Sequence, residues 1–330
     1  MLFRSKGAYI WRCVETVVIL RKNQRQQGDA LYAELLARIR LGQCRGPSGP
    51  QDQGDIGILR GRELSRIAYQ DRSELHQFRD APIIVGRKKL RDLLNARMIQ
   101  HHARRTGQEV HLYHSRDTIA REVPDSAVRR VLWSLPSSTT EDSLGRLPLF
   151  SGMKVMVQEN LAFSNKVVNG TEGVLRDIRY EEGEEGYRVA IVAYVEISGA
   201  GHVSDSLSEN IVPIFPESTY FAWDAPASLG GGRHRIARLQ LPLLPSYAYT
   251  DYKSQGRTLE RAVVDIESAQ SLQGVYVMLS RVRSLSGLAV LRPFASHKIL
   301  SRLSQELRDE LDRLDTLDIQ TKQKYERDGR

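Results

Sequence analysis

The sequence predicts an α/β fold interrupted by a β-rich insertion, and three observations carry that expectation. Short apolar strands are followed by helices in both halves of the chain, as in APIIVG with KKLRDLLN and AVVDI with QGVYVMLS. This alternation is the signature of an α/β sheet. Between them, residues 147–216 change period and read as short strands separated by turn residues, the pattern of a small barrel or sandwich. Hydrophobic residues at 41% and charged residues at 27% match a globular chain, not a disordered one. A chain of 330 residues allows about two domains.

The elements follow in order. The opening segment MLFRSKGAYIWRCVETVVIL carries Glu15 and lacks a small-residue cleavage site, so no secretory signal is expected. DALYAELLARIRLG is the first clear helix: Asp29 caps its start, Leu31, Leu35 and Ile39 keep helical spacing, and Gly42 ends it. GPSGPQDQGDIG is a Gly/Pro-rich loop and GRELSRIAYQ a short helix. APIIVG is a buried strand, leading into a long basic helix that turns Leu90, Leu94, Met98 and Ile99 towards a core. Residues 134–146 are a polar linker. GMKVMV, EGVLRDIR, YRVAIVAYVEI and NIVPIF are strands, Asn169-Gly170 a hairpin signal, and residues 181–186 an exposed acidic turn. Residues 224–236 form a flexible loop. LPSYAYT, AVVDI and GLAVLR are strands, and QGVYVMLSRVRS is a helix. The chain closes on an amphipathic helix with Leu303, Leu307, Leu311 and Leu314 on one face.

The net charge is +8, and its excess lies outside an acidic stretch at 131–215. Arginine outnumbers lysine, which suits bidentate phosphate contacts. Nucleic-acid binding and an ordinary basic surface both fit this balance. No apolar run approaches the ~20 residues of a membrane helix, so no membrane partner is expected. Cys13 and Cys44 cannot make a disulfide framework, and a reducing compartment is the default. His101, His102, His111 and His114 lack the companions of a metal site, and none is expected.

No G-x-x-x-x-G-K-[ST] loop occurs in the sequence, nor an apolar strand ending in paired acids. The most specific stretch is Tyr249 to Leu259. A strand there delivers Lys253, Ser254 and Gln255, all able to hold phosphate oxygens, and Gly256, which permits close backbone approach. A plain polar turn is the alternative. In the second stretch, Tyr276 to Leu285, Arg281 lies near a helix end, where it can reach a cleft or simply complement the helix dipole. Tyr252 is a candidate for stacking bases, while Tyr247 and Tyr249 read as core.

Together, KSQGRTL and VYVMLSRVRSLSGL resemble motifs V and VI of the petite-integration-frequency (Pif-like) helicases of superfamily one, in a form similar to fungal and Helitron-transposon members. LPLFSGMKVMVQENLAFSNKVVNGTEGVL resembles the start of that family's β-barrel insertion, APIIVGRKKLRDLLN its second motor strand and helix, and LRKNQRQ its motif IV. The resemblance implies a RecA-like motor domain (2A) interrupted by a small β-barrel (2B). Residues 1–146 and 217–300 would form 2A, 147–216 would form 2B, and 301–330 a terminal helix. It implies ATP and Mg2+ as cofactors, with Arg25 and Arg281 as catalytic arginines on the γ-phosphate. Gln26 and Gly256 would assist at the nucleotide.

Lys253, Ser254, Gln255 and Thr258 would contact nucleic acid. Arg87 and Lys88 would join them, although many members have Thr-Asn there. Asn95 matches an asparagine common in the strand-helix unit. The implied partners are single-stranded or forked DNA, translocated 5′ to 3′, with a preceding RecA-like domain that carries motifs I to III. Those motifs are absent from this sequence, so the chain is expected to be a C-terminal fragment inactive alone. The alternative is a non-catalytic single-stranded DNA-binding protein or a transposon relic. The resemblance further implies a nuclear setting, with the mitochondrion second, and roles in DNA repair, recombination and telomere maintenance.

Overall fold

The computed structural model describes residues 2–49 and 53–328. Residues 50–52 of the Gly/Pro-rich loop, and 329–330 of the terminal stretch, lie outside the described residues. The α/β unit is built on four short parallel strands. Across the sheet they run Ala248–Thr250, Ile83–Val85, Ala262–Val264, Leu288–Val290. All are buried, and all but Thr250 are apolar or aromatic, as a parallel sheet between helices requires. Because side chains alternate along a strand, Ile84, Tyr249, Val264 and Val290 pack against Tyr32, Leu35 and Ile39 of helix Ala30–Leu41 and Met278 of helix Leu272–Leu279. Ile83, Val85, Ala248, Val263 and Ala289 face the other way, towards Ile67, Leu90 and Leu94.

Local signals set the first helix. Asp29 accepts the Tyr32 N–H at 3.0 Å, and Gly42, at φ 66°, closes the other end in the left-handed region. The buried stripe differs from the expected one. Leu31 is 53% exposed, and Tyr32 is buried in its place. The Tyr32 hydroxyl donates to the Leu279 carbonyl at 2.6 Å, which rotates the helix to seat the tyrosine. Gly54–Gly61 is a helix where the Gly/Pro-rich loop was expected to continue. The terminal helix Gln305–Asp328 packs Leu307 and Leu311 on the first core. Further along the same face it holds the N-terminal segment: Asp318 accepts from Ile19 N–H at 2.9 Å and from Arg21 at 3.0 Å. The helix Leu2–Arg12 has no counterpart in the sequence reading.

The β region is larger than its sequence signal. The expected strands are present as Lys154–Val157, Glu172–Glu182, Arg188–Glu196 and Ile211–Ile214. They belong to a seven-stranded sheet that also takes His111–His114, Arg146–Leu149 and Leu243–Pro245. A second sheet of three strands, Arg116–Ile119, Arg233–Gln240 and Glu217–Asp224, is covered by helix Ser126–Ser134.

Several expectations are corrected here. Residues 224–236 are not simply a loop, because strand Arg233–Gln240 begins within them. Its charged residues hide the alternation, and Arg238 points inward to a fully buried ion pair with Asp117 at 2.7 Å. Residues 134–146 are not a solvated linker: Ser137, Thr140, Asp142 and Ser143 are buried. LPSYAYT divides between two sheets. Asn169-Gly170 sits in a turn closed by Thr171 N–H on the Val168 carbonyl at 2.9 Å, within a longer connection bridged at Ala162 and Val167. Among the described residues no helix is long and apolar enough to cross a membrane.

Candidate nucleotide and nucleic-acid interface

Residues far apart in sequence converge where helix Leu272–Leu279 ends. The Gln26 amide is buried and donates to the Val282 carbonyl at 2.5 Å and the Ser280 carbonyl at 3.3 Å. Arg25 donates to the same Ser280 carbonyl at 2.8 Å and, through Nε, to Thr258 Oγ1 at 3.0 Å. Arg281 folds back on its own helix, donating to the Val277 carbonyl at 2.8 Å and Ser280 Oγ at 2.6 Å. The backbone closes the group, since Leu259 N–H donates to the Arg281 carbonyl at 2.9 Å. Motif-IV-like, V-like and VI-like segments therefore share one locus.

Its electrostatics are one-sided. Arg281 is only 9% exposed. Burial, and then the neighbouring charge of Arg25, push its pKa below the ordinary arginine value. A buried guanidinium beside a second guanidinium favours an anion between them. Thr258, expected on the nucleic-acid side, is joined to this arginine pair.

The Lys253 loop faces elsewhere. Lys253 Nζ donates to Asn169 Oδ1 of the β region at 2.8 Å. Burial lowers the Lys253 pKa, opposed by Asp142 and helped by Arg91 and Lys88. Ser254 is fully buried and donates to the Asp251 carbonyl at 2.7 Å, so its hydroxyl closes a helical turn instead of facing a ligand. Gln255 and Gly256 are exposed, and Gly256 sits at φ 80°, a backbone that L side chains rarely adopt. Tyr252 is 79% exposed, whereas Tyr247 and Tyr249 are buried. Arg87 is exposed at the start of helix Lys88–Thr106, and Lys88 pairs with Asp142 at 3.0 Å. Asn95 is buried and serves the sheet: it accepts Ala248 N–H at 2.8 Å and donates to the Ala248 carbonyl at 3.2 Å.

Some contributors left no sequence signal. Glu172 opens strand Glu172–Glu182, accepts from the Tyr249 and Ser246 hydroxyls, and pairs with Arg257 at 3.1 Å. Arg257 lies 4.7 Å over the Tyr249 ring and donates to the Gly170 carbonyl. This network ties the Lys253 loop to the β region. A cavity of ≈ 500 Å³, lined by Pro82, Met98, Glu172, Ser246, Tyr247 and Tyr249 among others, opens beside this network at the amino ends of strands Ile83–Val85 and Ala248–Thr250.

The fold, an open α/β sheet with a β-rich insertion and an arginine pair beside its sheet, fits the RecA-like helicase class. Comparison with known proteins narrows this class. No family model matches the chain. The human ATP-dependent DNA helicase PIF1 is 27% identical over 290 residues, 88% of this chain and 36% of that protein. The Xenopus laevis ATP-dependent DNA helicase PIF1 is 31% identical over 146 residues, 44% of this chain and 19% of that protein. The crystal structure of Pif1 helicase from Candida albicans has a TM-score of 0.58 at 22% identity, over 89% of this chain and 60% of that one. A Bacteroides Pif1 helicase in complex with ADP-AlF3 and single-stranded DNA has a TM-score of 0.57 at 18% identity, over 90% of this chain and 56% of that one. The chain is a relative of the Pif1-like helicases of superfamily one. It spans about 36% of the length of the human relative.

Proposed function

We propose that this chain acts as the C-terminal motor half of an ATP-dependent DNA helicase, domain 2A carrying a barrel-like 2B. The observation that carries the reading is the arginine pair. Arg25 and Arg281 stand together without an ion-pair partner among the described residues, held by Gln26 and the backbone of 280–282. Such a pair suits the γ-phosphate of a nucleotide bound chiefly by a companion RecA-like domain. In that reaction ATP with Mg2+ would supply the transferred phosphoryl group. The two arginines would stabilise charge spreading over its oxygens.

Arg25 also holds Thr258, at the end of the Lys253 loop. Movement at the nucleotide would therefore reach Lys253, Gln255, Arg87 and Lys88, which we assign to the DNA backbone. Ser254 is left out of that set because its hydroxyl is buried. In this reading the insertion takes in the strands from His111 to Pro245, more than the expected 147–216. Single-stranded or forked DNA as substrate, 5′-to-3′ movement and nuclear action in DNA maintenance belong to the same proposal. The DNA substrate is the part that the relatives' identity as DNA helicases supports.

The test joins this chain to the N-terminal RecA-like domain of a Pif1 relative and measures DNA-stimulated ATP hydrolysis. R281A should reduce turnover by about a thousandfold or more while DNA affinity holds. Unchanged turnover in R281A refutes the assignment. DNA binding without any turnover in the joined protein would favour the non-catalytic alternative.

A further inference from the structure

We propose that Asp142 is a carboxylate gate on a phosphate-binding position. It holds Lys88 until a backbone phosphate of single-stranded nucleic acid takes its place. The inference rests on the reading above that the Lys88 and Lys253 side of the sheet meets nucleic acid.

Two cations hold this carboxylate, and a third lies within electrostatic reach. Asp142 Oδ2 accepts from Lys88 Nζ at 3.0 Å, and Oδ1 accepts from Arg91 NH2 at 2.9 Å. Lys253 stands near enough for Lys88, Arg91 and Asp142 all to act on its charge. Asp92 and Ser137 take further donors of Arg91 at 2.8 and 2.9 Å. Donors still outnumber acceptors. Arg91 is 2% exposed, yet its NH1 is buried with no partner. An ammonium carries three donors; the ion pair with Asp142 uses one of Lys88's, and the bond to Asn169 one of Lys253's. Asp92 and Glu159 offset part of the positive charge, but the buried Arg91 NH1 lacks an acceptor and Lys88 has donors to spare, and a phosphate taking Lys88 would release an Asp142 oxygen for it.

The location fits. Lys88 and Lys253 follow strands Ile83–Val85 and Ala248–Thr250 at their carboxyl ends, where open α/β sheets receive ligands. Glu141 and Asp142 both adopt left-handed backbone, at φ 51° and 66°, a conformation that aspartate tolerates better than most residues with side chains. Asp142 is clamped there by its N–H on the Ser137 carbonyl at 3.0 Å and by Gln158 Nε2 on its own carbonyl at 3.1 Å.

The exchange has a natural second state. At present the carboxylate divides its oxygens between two cations. If Lys88 turns to a phosphate, Oδ2 is released and can swing to the empty Arg91 NH1. That completes a two-pronged Arg91–Asp142 pair, the stronger form of this contact. Asp142 would thus mimic the phosphate in the empty state and recede from it in the bound state.

The experiment is a salt titration of the chain with fluorescein-labelled oligothymidylate, read by anisotropy. Wild type, D142N, K88M and the double variant are compared. D142N frees Lys88, so it should bind more tightly at 50 mM salt. Its log–log salt slope should match that of wild type, because Lys88 neutralises one phosphate in both bound states, whereas K88M should flatten the slope by about 0.7. K88M should remove that gain in the double variant. D142N with wild-type affinity overturns the gate, as does a gain that survives K88M. Wild type that shows no salt-dependent binding overturns the nucleic-acid reading together with the gate. Should D142N fail to fold, the wild type with 13C-methylated lysines decides: the Lys88 signal moves on adding oligothymidylate, and a stationary signal overturns the proposal.

Discussion

Replacing Asn95 by alanine should loosen the outer strand that feeds the Lys253 loop. Ala248–Thr250 is an edge strand of the parallel sheet, so one side of it has no neighbouring strand. Asn95, from helix Lys88–Thr106, lies against it like a detached peptide group. Its Oδ1 accepts Ala248 N–H at 2.8 Å and Tyr247 N–H at 3.2 Å, and its Nδ2 donates to the Ala248 carbonyl at 3.2 Å. Asn95 is 5% exposed and Ala248 1%, so water cannot replace the lost partner without opening the packing. An orphaned buried polar group costs about 1–3 kcal/mol. With the Ala248 N–H and carbonyl and the Tyr247 N–H all left unpaired, N95A should cost at least about 3 kcal/mol. N95D keeps an acceptor but turns a carboxylate oxygen towards the Ala248 carbonyl, and should be at least as costly. Urea unfolding followed by far-ultraviolet circular dichroism measures both. A loss below about 0.5 kcal/mol in N95A, or an N95D as stable as wild type, would refute the assignment of Asn95 as the edge cap.

Other outcomes follow from separate parts of the molecule. Burial and the nearby Asp55 carboxylate push the Cys44 thiol up to about 12, while Cys13 is exposed. A thiol reagent at mildly alkaline pH should therefore label Cys13 rapidly and Cys44 only on unfolding; equal rates would contradict this environment. The backbone N–H of Ile19, then Arg21 and Lys322, hold the Asp318 carboxyl below the usual carboxylate range. Its contribution is present above the unfolded carboxylate pKa near 4 and is lost as pH falls through the lower folded value. Urea midpoints should accordingly drop less steeply on acidification in D318N than in wild type. A Cβ on Gly86 would stand 2.4 Å from the Ser268 carbonyl oxygen, so G86A must displace the strand end, and its thermal midpoint should fall by several degrees. G256A meets no atom within 4 Å but inherits φ 80°; its cost should stay at about 1–2 kcal/mol, measured in the same unfolding assay.

The amino-acid order alone specified those elements whose signals are local. Asp29 and Gly42 bracket a helix because a cap and a left-handed terminus act within one turn. Ile83–Val85, Ala262–Val264 and Leu288–Val290 are legible as strands because a buried parallel strand is apolar on both faces. Segments that carry the candidate site residues are visible too, since Lys253, Gly256 and Arg281 sit in short, unusual runs. What depended on the tertiary structure is partnership across the chain. Strand Arg233–Gln240 escaped notice because its inward arginine is neutralised by Asp117, more than a hundred residues away. Ser254 left the binding set because only packing shows which hydroxyl is buried. Asp142 read as one polar linker residue among many. Only the fold, by bringing Lys88, Arg91 and Lys253 around it, makes its charge matter. A residue's spacing reports the face of its own element, whereas its chemistry is set by whichever distant groups share its low-dielectric surroundings.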